Sequence, residues 1–133
     1  MNTHTLSRTK NIRDDGWLCE LVSMNYQDEP FSGIHTYLVS ITPNMTRANH
    51  YHKKKDEWIA LTAGIIELAT MDVRTNNKER VVLDSKTKEY SIVHIPPYIA
   101  HSLKNIGIGD ASVVVFSKTP EDVSDTIPFE VDA

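Results

Sequence analysis

His50-Tyr51-His52-Lys53-Lys54-Lys55-Asp56-Glu57, running on through Trp58-Ile59-Ala60-Leu61 to Gly64, is the stretch that decides how this chain is read. Successive side chains of a strand point to opposite faces, so His50 and His52 share one face and Tyr51 takes the other. A charged turn follows, and Glu57 opens the next apolar run where it can face the same space. Far downstream, His101 begins another strand just after the turn Pro96-Pro97-Tyr98. Three imidazoles and a carboxylate form a mixed nitrogen and oxygen donor set. Such a set suits a divalent transition metal (Zn, Fe, Mn, Ni or Cu) and poorly suits Ca or Mg. Without a thiolate, an open site that exchanges water or substrate is expected rather than a closed structural one. An HxH pair alone is more often two ordinary strand histidines; Glu57, Gly64 and the proline-to-His101 strand turn it into a metal site.

Outward from this segment the chain shows short apolar stretches divided by turn residues, and no helical stripe. The pattern predicts strands over 17–22, 34–41, 47–52, 57–63, 65–73, 79–83, 90–95, 101–106 and 111–117, with 57–63 and 65–73 flanking a tight turn at Gly64. Loops fall at Asp28-Glu29-Pro30-Phe31-Ser32-Gly33, Thr75-Asn76-Asn77-Lys78 and Gly107-Ile108-Gly109-Asp110. Strands at this rhythm, punctuated by Gly and Pro, indicate an all-β sandwich or barrel. Residues 1–15 read as a polar arm, poorly ordered unless a partner subunit holds it, and 119–133 as an acidic tail extended over the barrel. The barrel itself spans 16–118.

The 133 residues suffice for one domain, and the net charge of -4 gives no nucleic-acid surface. Lys53-Lys54-Lys55, followed at once by Asp56 and Glu57, reads as a solvated turn. Cys19, the one cysteine, lies in an apolar run and is expected as a buried thiol. No secretory leader and no bilayer-length apolar stretch is evident, so a cytoplasmic protein is expected. Trp58 is expected in the core, and His35 and His94 in surface or structural roles.

At these residues a family resemblance becomes specific. His50-x-His52-x4-Glu57-x6-Gly64 resembles the first cupin motif and Pro96-x-Tyr98-x-x-His101-x3-Asn105 the second. Three positions where these motifs usually carry glycine hold Asn44, Tyr90 and Tyr98. The resemblance implies a single-domain double-stranded β-helix, the cupin jelly-roll barrel, holding a divalent transition metal through His50, His52, Glu57 and His101. It also implies a homodimer, with the N-terminal arm contributing to the contact.

Finer similarities point to a substrate class. Arg47-Ala48-Asn49-His50-Tyr51-His52-Lys53-Lys54 resembles a segment of nucleotide-sugar 3,4-ketoisomerases, and Arg47-x-x-His50-Tyr51 is similar to dTDP-4-dehydrorhamnose 3,5-epimerases. The segment Asp15 to Leu21 resembles the opening of those epimerases. Asn49-His50-x-His52 and Asp125-Thr126-Ile127-Pro128-Phe129 are similar to the metal-binding cupin of a capsular-polysaccharide sugar reductase. These imply an isomerase or epimerase of a nucleotide-activated keto-deoxy sugar.

Moving a proton alpha to a ketone needs a base and a group that stabilises the enolate oxygen. A divalent metal supplies the second. In the resembled isomerases the histidine matching His50 is itself the base, but a nitrogen whose lone pair is given to a metal cannot take that proton. The base is then expected elsewhere, with Tyr37 and Tyr98 as candidates. Arg47 suits a diphosphate through paired hydrogen bonds, although alternation alone does not fix its face. Two other functions use the same donors: a metal-dependent dioxygenase or decarboxylase of a small acid or diketone, and a non-catalytic cupin that binds a sugar or effector.

Overall fold

The computed structural model describes residues 5–14, 16–18, 21, 34–119 and 122–132, with main chain only at 13 and 16–18. His4, Cys19 and the expected loop over 28–33 lie outside the described residues. The fold is all-β, and the helical content of the described residues is one 3-10 turn, Val123–Asp125. Among the described residues no helix is long and apolar enough to cross a membrane.

Two five-stranded antiparallel sheets face each other. The first has the order β1 (Thr5–Thr9), β9 (Glu89–Ile95), β6 (Glu57–Ala63), β11 (Ala111–Ser117), β4 (His35–Ile41). The second runs β12 (Ile127–Pro128), β5 (Thr46–Tyr51), β10 (Ile99–Asn105), β7 (Ile65–Asp72), β8 (Lys78–Asp84). A small separate hairpin pairs β2 (Asn11–Arg13) with β3 (Gly16–Leu18). Consecutive strands repeatedly cross between the sheets, as a jelly roll requires.

Alternation along each strand builds the interior. Ile59, Leu61, Val93, Val113 and Val115 of the first sheet meet Ile66, Leu68, Ile99 and Leu103 of the second in one buried cluster. Each such side chain contributes roughly 1.5–3 kcal/mol by leaving water. Outward-facing Trp58, Ala60, Tyr90, Ile92, Val114 and Phe116 form a second buried cluster, so the first sheet is covered on both faces. Their strands accordingly read as continuous apolar runs rather than alternating ones.

Two sequence expectations are corrected. The strands on either side of Gly64 are not a hairpin, because β6 belongs to one sheet and β7 to the other. Gly64 is the corner between them, with φ +87°, and a Cβ there would stand 2.9 Å from Ala111. The polar arm is partly structural: Thr5–Thr9 pairs along its length with β9. Leu6 packs on the outer cluster, and buried Arg8 donates to the Leu21 carbonyl at 3.1 Å. An edge strand of this kind is held by its main-chain ladder, which leaves little hydrophobic trace in the sequence. The tail lies extended on the barrel and adds β12 to β5, pairing Ile127 with Tyr51 and Pro128 with His50, while Val131 and Phe129 cover Ala69 and Ala100.

Candidate metal centre

The end of β5, the start of β6 and the start of β10 meet at one end of the barrel. There His50, His52, Glu57 and His101 converge, each offering one ligand atom, all within 4.8 Å of one another. Cross-strand register explains the meeting. His50 is the direct partner of His101, and the ring centroids lie 4.8 Å apart. The His52 ring lies 4.9 Å from that of His50. Glu57 is 2 % exposed, and its Oε1 stands 3.0 Å from His52 Nε2 and 3.6 Å from His101 Nε2.

Hydrogen bonds on the far side of two rings fix which nitrogen faces inward. His52 Nδ1–H donates to the main-chain carbonyl of Asp125 at 2.8 Å. His101 Nδ1–H donates to the Ile99 carbonyl at 3.1 Å. Both rings therefore present a bare Nε2 to the cluster, the tautomer a metal requires. His52 Nε2 and Glu57 Oε1 are close without the alignment of a hydrogen bond, and both are buried with no such partner among the described residues. Buried polar atoms are rarely left in this state. A divalent cation accepting both lone pairs would satisfy them, so the donor set fits a transition metal.

The charges of Glu57 and His101 agree with this arrangement, while metal-free His52 is drawn toward its protonated form by the same carboxylate. Burial would raise the Glu57 carboxyl, but the His52 contact and the nearby His101 and Lys55 outweigh it and hold it at about 2, against the usual 4.5. Burial would lower His52, yet the Glu57 carboxylate and the Asp125 carbonyl raise it above 6.5. Fully buried His101 is lowered, chiefly by desolvation, which keeps its ring neutral.

The sequence from residue 11 to 126 matches the family described as polysaccharide biosynthesis C-terminal domain. The chain belongs to this family. Among curated proteins none matches it. Among solved structures, this polysaccharide biosynthesis C-terminal domain resembles a dTDP-sugar isomerase from Desulfovibrio desulfuricans G20, with TM-score 0.86 and 17% identity over 98% of this chain and 85% of that one. It resembles a histidine-to-asparagine mutant of the 3,4-ketoisomerase QdtA from Thermoanaerobacterium thermosaccharolyticum, solved with TDP-4-keto-6-deoxyglucose, with TM-score 0.76 and 16% identity over 95% of this chain and 86% of that one. It also resembles the capsular polysaccharide assembling protein CapF from Staphylococcus aureus, with TM-score 0.69 and 21% identity over 93% of this chain and 33% of that one. The fold is the RmlC-like cupin fold.

The remaining expected site residues separate. In this polysaccharide biosynthesis C-terminal domain Tyr37 joins the cluster: its hydroxyl lies 3.5 Å from Glu57 Oε2 and accepts from Lys55 Nζ at 3.2 Å. Tyr98 does not. Its ring lies 5.0 Å from the Arg74 guanidinium and 6.3 Å from the Tyr51 ring, and Tyr51 points away from the ligands by alternation. Asn44 and Tyr98, at positions where cupin motifs carry glycine, do take left-handed φ of 65° and 69°. The turns are therefore kept despite the side chains. Tyr90, the third such position, packs in the outer cluster instead.

Arg47 gains a definite face. Ala48 and Asn49 both have positive φ, 71° and 52°, and the β5–β10 register shifts there. This bulge absorbs one residue, so Arg47 opposes Leu103 on the same face as His50 opposing His101. Arg47 is exposed at the rim, where it donates to the Ser40 carbonyl at 3.2 Å. Across the barrel, a cavity of about 230 Å³ opens between β1 and β8 and reaches Thr70, the β7 partner of His101.

Two residues at the centre carry no role in the sequence reading. Lys55, expected on a solvated turn, is instead 4 % exposed, with its ammonium 3.8 Å from Glu57 Oε2. Asp125, in the tail, is also buried. Burial opposes its charge, yet hydrogen bonds from the main-chain N–H groups of Lys53, Lys55 and Lys54 hold its carboxyl below the usual 3.8. The similarity of the Asp125–Phe129 segment to a metal-binding cupin marks this stretch in the sequence, but only the fold shows that Asp125 grips the lysine turn.

Proposed function

We propose that this domain binds a divalent transition metal (Zn, Fe, Mn or Ni) through His50, His52, Glu57 and His101 and acts as an isomerase or epimerase of a nucleotide-activated 4-keto-6-deoxy sugar. The observation that carries the metal is the pair of buried atoms, His52 Nε2 and Glu57 Oε1, left without hydrogen bonds among the described residues inside a cluster of four potential ligands. Support for the substrate class comes from the family's place in polysaccharide biosynthesis and from the QdtA mutant solved with TDP-4-keto-6-deoxyglucose.

A bound divalent metal supplies Lewis-acid stabilisation of the negative charge that develops on a carbonyl oxygen when the neighbouring carbon loses a proton. Tyr37 stands beside this position with its hydroxyl between Lys55 and Glu57, placed to exchange a proton with the substrate. His50 is then a ligand and not the base. Arg47, on the same face and at the rim, offers a planar fork of donors to a diphosphate.

Incubation with dTDP-4-keto-6-deoxyglucose in heavy water tests the reading. Deuterium at C3 or C5, lost when the metal is stripped and regained on reloading, is the expected result. Metal-loaded protein that exchanges neither position across several such sugars sinks it, and tightly bound iron with oxygen consumption favours the dioxygenase chemistry.

A further inference from the structure

We infer that Asp125 is a positioning residue of the metal centre, holding from the C-terminal segment both the tautomer of His52 and the turn that delivers Lys55. Two different parts of one residue carry this. Its main-chain carbonyl accepts His52 Nδ1–H at 2.8 Å, which leaves Nε2 bare toward Glu57. Its carboxylate accepts three successive main-chain N–H groups, Lys53 at 2.9 Å to Oδ1 and Lys54 and Lys55 at 3.2 and 3.1 Å to Oδ2.

The turn so gripped lies between ligands His52 and Glu57 and ends in the lysine that donates to Tyr37. A displaced carboxylate would release the turn and, through the same residue's carbonyl, free the His52 ring to rotate. The grip depends on strand pairing rather than on chain proximity: β12 binds beside β5 and brings Asp125 to the ligands. Outer partners of metal-bound histidines typically control affinity 10- to 100-fold. A carboxylate engaged by three consecutive main-chain N–H groups is rigid in a way a surface clip is not. The inference rests on the metal reading for its affinity arm, but its tautomer arm stands without metal.

The test compares the full chain with Asp125→Ala, Asp125→Asn and Asp132→Ala. Asp132 tethers the same segment through Lys78 and Arg80 without touching the lysine turn. Zinc affinity is measured by competition with a chromogenic chelator. The His52 tautomer is read from 15N chemical shifts of metal-free protein, at a pH where the ring is neutral. Asp125→Ala is expected to weaken zinc about 10- to 100-fold and to replace the single Nδ1–H form by a mixture. Asp125→Asn, which keeps one accepting oxygen, is expected to weaken it about tenfold and serves where the alanine variant does not fold. Asp132→Ala is expected to change neither. Wild-type affinity and tautomer in both Asp125 variants overturn the inference, as does an equal loss in Asp132→Ala. If the wild type binds no zinc, the metal reading fails on its own. A tautomer fixed in the wild type and lost in the variants still supports the role of Asp125, and one unfixed in the wild type overturns it.

Discussion

His50 and His101 are direct partners across β5 and β10, with their ring planes at 90°. Antiparallel register places their side chains on one face, and the bulge at Ala48 and Asn49 turns Arg47 to that face as well. The candidate metal centre is thus built on sheet geometry, with the His52-to-Glu57 turn as its loop.

His50 is half-buried, so its removal tests ligation without emptying the core. His50→Ala is expected to weaken zinc by more than about 100-fold, exceeding the loss typical of an outer partner, with the far-UV dichroism unchanged. Unaltered affinity in a competition titration would remove His50 from the ligand set.

Glu57 makes the metal-free fold sensitive to acid. Its carboxyl is held at about 2 in the fold against the usual 4.5, so the folded state favours the ionised form. The associated stability is present above pH 4.5 and is lost as pH falls toward 2, on the order of 3 kcal/mol in all. Urea midpoints of metal-free protein at pH 6 and pH 3 measure it. Glu57→Gln should flatten the dependence, and an equally steep fall in that variant would contradict the assignment.

Lys55 is a buried ammonium held between Tyr37 and Glu57. Lys55→Met leaves the carboxylate with less compensating charge, and the metal-free protein should lose about 2 kcal/mol. Zinc supplies charge to the same carboxylate, so the loss should shrink in the loaded protein. Equal losses with and without zinc, read by urea unfolding, would uncouple Lys55 from the centre.

Arg47 lies at the rim, exposed. Arg47→Ala is expected to weaken TDP binding about 10- to 100-fold, the worth of a charge-assisted hydrogen bond, while stability stays within about 0.5 kcal/mol. Arg47→Lys should recover little, because an ammonium lacks the planar fork. Calorimetric titration with TDP decides it, and wild-type affinity in the alanine variant would move the diphosphate elsewhere.

Gly64 is the corner between the sheets. Alanine there must take φ +87° and bring its Cβ to 2.9 Å from both the Cα and the Cβ of Ala111. Gly64→Ala should cost about 1–3 kcal/mol, measured as a fall in the thermal midpoint. A wild-type midpoint would mean that β11 yields at no cost.

The sequence by itself determined the strand rhythm and the four residues of the candidate donor set. Side-chain alternation and turn chemistry are local properties, so β6 and β11 start and stop where the pattern breaks, and His50 and His52 share a face by period alone. Tertiary structure decided what depends on contacts remote in the chain. The bulge set the face of Arg47, and the sheet-to-sheet corner at Gly64 replaced a hairpin. The Pro96–Tyr98 turn carried Tyr98 away from the centre, while β4 brought Tyr37 into it. Lys55 became a buried residue because Asp125 binds its turn through main-chain N–H groups. Main-chain hydrogen bonds are available to every residue type, so such a contact leaves no mark on the identity of the residues it joins.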